Sequence, residues 1–166
     1  GEPYDYIVCH GVYSWVTPDV QDAILRFCRE RLAPNGIAYI SYNVLPGWQL
    51  RKVIRDFFLL DDDTSRSPAD RVARGRWLLE QMAMGSSQST PYGQLLRREA
   101  RQLSAHSDSY IMSEFLAEEN SPCYFHEFMP RAEAAGMAFL TEADMHTSMT
   151  AETEPQLNKL IRVMYG

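Results

Sequence analysis

Apolar positions form a short continuous run at the start of the chain and follow a helical rhythm through its middle. Tyr4-Asp5-Tyr6-Ile7-Val8-Cys9 is a short β-favouring run bounded by Gly1 to Pro3 and by His10-Gly11. It predicts a strand buried on both faces of a parallel sheet. Thr17-Pro18-Asp19 then offers an N-cap hydroxyl, a proline at the first helical position and an early carboxylate, and Val20, Ala23, Ile24 and Phe27 fall on one helical face. Pro34-Asn35-Gly36 is expected to end that helix before a second β-rich run, Ile37 to Tyr42. Strand, helix and strand make a βαβ unit with parallel strands and a right-handed crossover.

After Pro46-Gly47 helices take over. Leu50, Val53, Ile54, Phe57 and Phe58 repeat at helical spacing up to the acidic run Asp61-Asp62-Asp63. Ser67-Pro68-Ala69-Asp70 resembles a capping box for a helix carrying Val72, Trp77 and Leu78. Gly85 to Ser89 reads as a loop, and Thr90-Pro91 opens a helix on which Tyr92, Leu95, Leu96, Ala100 and Leu103 share a face. A further helix over Ser109 to Glu118, with Ile111, Phe115 and Leu116 apolar, ends at Asn120-Ser121-Pro122. The pattern then returns to α/β: Phe125 to Ala135 is helix-like, Gly136 is a C-cap, and Met137 to Thr141 is expected as a strand. Residues 155 to 166 predict a short helix with Leu157, Leu160, Ile161 and Met164 on one face. The organisation expected is therefore 1–48 as a βαβ piece, 49–122 as a helical domain, 123–148 as a return helix and strand, and 149–166 as a terminal helix.

Composition narrows the class. The 166 residues are 45% hydrophobic and 23% charged, as in ordinary globular domains. A formal charge of -6 argues against a nucleic-acid partner. No apolar run approaches the roughly 20 residues of a membrane span, and the first residues lack the order of a signal peptide, so a cytoplasmic, membrane-free protein is expected. Cys9, Cys28 and Cys123 are widely spaced with no C-x-x-C, which suggests buried thiols rather than a disulfide or a zinc site. The strand pattern begins almost at the first residue, the mark of a piece of something longer.

Ligands of open α/β sheets bind outside the carboxyl ends of the strands. The run Cys9-His10-Gly11-Val12-Tyr13-Ser14-Trp15-Val16 follows the first strand, and Tyr42-Asn43-Val44-Leu45-Pro46-Gly47-Trp48 follows the second. Gly11 suits a tight backbone approach, His10 and Tyr13 offer hydrogen bonds, and Trp15 offers an apolar wall. Tyr13 and Trp15 equally suit a cover over the sheet edge. The two aromatic loops are expected to face one another.

Tyr4-Asp5-Tyr6-Ile7-Val8-Cys9-His10-Gly11-Val12-Tyr13-Ser14-Trp15-Val16, then Arg31-Leu32-Ala33-Pro34-Asn35-Gly36-Ile37-Ala38-Tyr39-Ile40-Ser41-Tyr42-Asn43 and Pro46-Gly47-Trp48, resemble the fourth and fifth strands of a class I S-adenosylmethionine-dependent methyltransferase. Asp108-Ser109-Tyr110 and Tyr124-Phe125-His126-Glu127-Phe128 resemble later signatures of the branch that carries a methyltransferase regulatory domain. The resemblance covers residues 2 to about 148 and is weak between 60 and 105. It implies an α/β fold, part of a Rossmann-like methyltransferase sheet with a mainly helical inserted domain, in a branch whose bacterial members include methylases of protein lysines. Carried over by residue, Cys9, His10 and Gly11 lie by the cofactor, and Tyr13, Trp15, Tyr42, Asn43 and Trp48 lie toward a protein or small-molecule methyl acceptor. No Gly-x-Gly occurs in the chain, so the glycine-rich cofactor loop of the family is missing from it. The resemblance names no catalytic residue, since methyl transfer depends mainly on alignment. Alanine at Tyr13 or Trp48 is expected to lower methyl transfer with the fold intact.

Other motifs carry less. His126-Glu127 fails as H-E-x-x-H, because Pro130 stands at the fourth position after His126 and is expected to interrupt the helix. The pair reads instead as hydrogen-bonding across the joint between helices and sheet. His106 and His146 are isolated. Arg71, Arg74 and Arg76, and again Arg97, Arg98 and Arg101, read as solvated faces with intrahelical pairs. The scattered methionines read as core filler. The rival to a methyltransferase part is a non-catalytic binding or dimerisation module, because an incomplete parallel sheet leaves an apolar edge that a second copy would cover.

Overall fold

A computed structural model describes residues 1–143. The elements run β1 (Tyr4–Cys9), α1 (Pro18–Arg31), β2 (Leu32–Ile40), α2 (Trp48–Leu59), α3 (Pro68–Gly85), α4 (Pro91–Ser104), α5 (Asp108–Phe115) and α6 (Phe125–Ala134). The expected terminal helix, with His146, Met145, Met149 and Met164, lies outside the described residues.

The βαβ unit is present: β1 and β2 pair in parallel, Tyr6 opposite Ile37 and Cys9 opposite Ile40. Pro34-Asn35-Gly36 does not end the helix. It forms an irregularity inside β2, since Tyr4 pairs with Leu32 while Tyr6 pairs with Ile37. A Cβ on Gly36 would lie 2.8 Å from the Tyr4 carbonyl oxygen and 2.8 Å from a Leu32 methyl carbon, so only glycine passes there.

In α1 the Thr17 hydroxyl makes no cap bond. The helix also turns a different face inward: Gln21, Leu25 and Cys28 are buried, whereas Val20 and Phe27 are 44% and 47% exposed. Gln21 sets that rotation, because its Nε2 donates to the Tyr13 carbonyl at 2.8 Å and its Oε1 accepts from Arg131 at 2.9 Å. Two long-range hydrogen bonds outweigh the apolar stripe.

The helices α2 to α5 close around Ile54, Phe58, Val72, Leu79, Leu96, Leu103, Ile111 and Phe115. Their starts follow sequence rules: Ser67, Thr90 and Ser107 accept from the backbone N–H groups of Asp70, Gly93 and Tyr110 at 3.2, 3.1 and 3.3 Å. Trp77 and Tyr92 do not share the buried faces expected for them. The buried stripe of α3 is Val72, Gly75, Leu79 and Ala83, and Trp77 stands off it beneath the Arg74 guanidinium, 4.4 Å from the ring centroid. The arginines of α3 pair between elements rather than along the helix: Arg71 with Asp62, Arg74 with Asp61 and Arg76 with Asp108.

In α6, Phe128 and Ala132 pack against Tyr13 and Leu25. Glu127 does not reach across the joint; its carboxylate accepts from the Tyr124 N–H at 2.8 Å and closes the start of its own helix. Nor does Pro130 interrupt α6, which runs through it to Ala134. Gly136 takes φ 75°, the left-handed conformation of a helix C-terminus. Met137 to Thr141 is not a strand: the described sheet has two strands, and Phe139 and Leu140 are exposed. Five apolar-rich residues satisfy the β pattern, but the described sheet, β1 and β2, does not include them.

Candidate functional site

Both strand-end loops leave the same end of the parallel pair, and hydrogen bonds lock them together. The Ser14 hydroxyl, buried on a 3-10 turn at Tyr13–Trp15, accepts from the Asn43 N–H at 2.8 Å. The Ser41 hydroxyl accepts from the Gly11 N–H at 2.8 Å and lies 3.0 Å from His10 Nδ1. The Tyr39 hydroxyl lies 3.2 Å from the same nitrogen. Gly11 takes φ 68°, with no atom within 4 Å of where a Cβ would stand, so this side of the loop is open. His10 and Gly11 are exposed, and Cys9 is half-buried.

The aromatic residues divide into two groups. Tyr13 is fully buried and meets Phe128 edge-on at 5.3 Å, while Tyr42 stacks on Phe128 at 4.4 Å. Trp15 meets Trp48 edge-on at 5.9 Å, and the Trp48 indole N–H donates to Asn120 Oδ1 at 3.0 Å. Chain contacts from the α5–α6 connection complete the frame: Ser121 N–H donates to the Ser14 carbonyl at 2.7 Å, and Cys123 N–H to the Asn43 carbonyl at 3.1 Å. Among the described residues, Tyr13 Oη, Asn43 Nδ2 and Asn120 Nδ2 are buried with no hydrogen-bond partner. Such groups are costly unless something answers them.

Burial controls the titrating groups. It pushes the Tyr13 hydroxyl up to about 12, against the opposing pull of the Arg131 guanidinium. It likewise pushes Tyr42 up to about 12, with the nearby Cys123 adding to the effect. The Cys9 thiol is raised by burial, partly opposed by a hydrogen bond from the Tyr13 backbone. All three groups are thus neutral at physiological pH, and none is a general base.

The structure brings Cys9, His10, Gly11, Tyr13, Trp15, Tyr42, Asn43 and Trp48 into one region. It separates Tyr13 from solvent, however, so alanine at Tyr13 would excavate the core rather than leave the fold intact. Sequence reasoning gave no role to Ser14, Ser41, Asn120 or Phe128. Short hydroxyls in strand-end loops are the one signal that could have found Ser14 and Ser41. Among the described residues no group of three His, Cys, Asp or Glu could hold a metal ion, and no helix is long and apolar enough to cross a membrane.

Residues 107–163 match the predicted methyltransferase regulatory domain family. That part of the sequence is thus similar to a methyltransferase regulatory domain. The chain is similar over 99% of its length to PKMT2 from Rickettsia typhi, with a TM-score of 0.79 and 34% identity, and covers 31% of that protein's chain. The structure of PKMT2 in complex with AdoHcy gives the same figures. The uncharacterized protein RP789 of Rickettsia prowazekii is 39% identical over 97% of the chain, which spans 29% of that relative. RP028 of the same organism is 44% identical over 78% of the chain, which spans 52% of it. The chain thus spans about a third to a half of the proteins it resembles, and its relatives lie in Rickettsia and in the cyanobacterium Synechocystis.

Proposed function

We propose that the chain is the acceptor-side part of an S-adenosylmethionine-dependent methyltransferase that methylates a protein side chain, a lysine amine being the class that fits best. One observation carries the reading: two interlocked aromatic loops at the carboxyl ends of parallel strands, in a chain similar over 99% of its length to PKMT2, which was solved with AdoHcy. In this reading β1 and β2 belong to a larger Rossmann-like sheet. Residues 1–48 and 123–148 flank an inserted helical domain at 49–122, and the protein works in the cytoplasm.

S-adenosylmethionine supplies an electrophilic sulfonium methyl group. The open side of Gly11 and the exposed His10 fit its methionine end, with His10 oriented by Ser41 and Tyr39. Cys9, held neutral by burial, does not compete for the methyl group. The Trp15–Trp48 edge supplies an apolar wall that favours the neutral, nucleophilic form of an amine. Asn43 and Asn120 brace this wall from behind, the Asn43 N–H donating to the Ser14 hydroxyl and Asn120 Oδ1 accepting from the Trp48 indole. Buried Tyr13 and half-buried Tyr42 hold these loops in place and leave the chemistry to alignment.

The test is a pair of substitutions in the complete enzyme. Trp48→Ala is expected to lower kcat/KM for the acceptor by about tenfold or more with cofactor affinity unchanged. Gly11→Val, strained at its positive φ, is expected to weaken cofactor binding instead. Methyl transfer unchanged by both would remove the site. The apolar face left open by β1 and α1, with Tyr6 72% and Val8 68% exposed, favours a second reading, a module that pairs with another copy.

A further inference from the structure

An open groove of about 920 Å³ lies outside the strand-end loops, along one side of α4. Leu50, Tyr92 and Leu95 give it apolar patches, and Arg97, Arg98 and Arg101 give it charge. Leu50 and Tyr92 are exposed and line the same groove. Among the described residues no carboxylate lines it. Glu99, the nearest acid in sequence, points into the helical core at 5% exposure, bonded to Arg51 at 3.3 Å and to Arg98 at 3.0 Å. Among the described residues Arg97 and Arg101 make no ion pair. They donate to backbone carbonyls, Arg97 to Gly93 at 3.1 Å and Arg101 to Arg97 at 3.2 Å, which orients the guanidinium groups without neutralising them. A neighbouring hollow shares Arg97 and Arg101 and adds one acid, Glu80.

The arginines of α3 form a useful contrast, for each of Arg71, Arg74 and Arg76 is paired with an aspartate. In a chain of net charge -6, a groove with three guanidinium groups, of which Arg98 is paired to Glu99 and Arg97 and Arg101 to no acid among the described residues, is a local reversal of sign. Such a reversal attracts anionic partners and steers them as they approach. Its apolar patches suit leucine or aromatic side chains, and the rest of the acidic surface disfavours a long phosphate backbone. The groove also adjoins the candidate site through α2, where Leu50 stands two residues after Trp48.

We infer that this groove docks an acidic segment, interspersed with leucine or aromatic residues, of the protein whose side chain is methylated. That the segment belongs to the methyl acceptor rests on the proposed function; that the groove takes an acidic peptide rests on its own residues.

The test reads fluorescence anisotropy as the whole chain is titrated into a fluorescein-labelled peptide of repeating Glu-Leu-Glu-Tyr, at low and at physiological salt. A lysine-for-glutamate version of the peptide and a single-stranded oligonucleotide are run beside it. Expected are saturable binding of the acidic peptide that weakens with salt, none of the lysine version, and about tenfold weaker binding by the Arg98→Glu, Arg101→Glu double variant. Both positions are exposed, and circular dichroism verifies their folding; Leu50→Ser weakens binding without any change of charge. Failure of the acidic peptide to bind, equal binding by the double variant, or preferred binding of the oligonucleotide would overturn the inference. In the complete enzyme, intact methylation without peptide binding defeats the groove alone, whereas peptide binding without any methylation defeats the proposed reaction alone.

Discussion

The helical region and the sheet region solve the burial problem to different degrees. Around α2 to α5, Ile54, Phe58, Val72, Leu79, Leu96, Leu103, Ile111 and Phe115 form a closed core, with inter-element ion pairs such as Arg71–Asp62 at its border. The sheet region buries Tyr13, Leu25, Phe128 and Ala132, all on the side where α6 packs. Its other side leaves Tyr4, Tyr6, Val8, Val20, Phe27 and Ile37 exposed. Two parallel strands with one covered face are half of a layered α/β structure. The helical part closes on its own packing, whereas the sheet part leaves apolar side chains uncovered among the described residues.

The sharpest way to break this contrast is Phe58→Ala. The Phe58 ring packs on Phe115 at 5.1 Å between centroids and fills the space over Gly75, where an added Cβ would stand 2.1 Å from it. The expected loss is about 3–5 kcal/mol, the range for truncating a buried phenylalanine, read by urea denaturation. Hydrogen exchange should localise the loosening to α2, α3 and α5 and leave the β1–β2 ladder comparatively protected. An equal loss of protection in both regions would show one cooperative core instead of two.

A subtler test lies in Tyr13, whose buried hydroxyl has no partner among the described residues. Tyr13→Phe removes that unanswered group while keeping the ring against Phe128, and is expected to stabilise the chain by about 1 kcal/mol. The pH dependence carries a second signature. Tyr13 and Tyr42 are raised from the ordinary 10 to about 12 in the fold, so the unfolded chain gives up those protons first. Their contribution is whole below pH 10 and is lost as pH climbs toward 12. The wild-type melting temperature should therefore fall over that window, and less steeply in Tyr13→Phe. No difference in slope between the two would mean that Tyr13 is solvated in solution.

Legibility in the sequence follows the range of the interactions. Helix starts at Ser67 and Thr90 depend on neighbours within a few residues, and the parallel βαβ unit follows from the order strand, helix, strand, so all were readable. The inward rotation of Gln21 depends on Arg131, and the orientation of Trp48 on Asn120, contacts 110 and 72 residues apart that no local pattern announces. Pro34-Asn35-Gly36 misled because proline and glycine punctuate bulges as well as helix ends. At the candidate site the two loops were visible as aromatic runs after strands. The hydroxyls that lock them were not, since Ser14 and Ser41 acquire meaning only when the strands pair.

The smallest expected effect concerns the open face of the sheet. Tyr6 and Val8 on β1 are 72% and 68% exposed, so Tyr6→Thr and Val8→Thr put strand-favouring residues at both positions and remove little buried area. Each should change unfolding free energy by less than about 0.5 kcal/mol, the ordinary range for surface positions. Their effect on association is where the two readings of the chain part. If the face is covered by a second copy, light scattering finds a dimer that the double substitution weakens. If it is covered by further sheet of a longer methyltransferase, the substitutions leave the isolated chain unassociated at all concentrations but destabilise the complete enzyme, where the same side chains are buried. A dimer indifferent to both substitutions would place its contact elsewhere and remove the sheet face from consideration as a pairing surface.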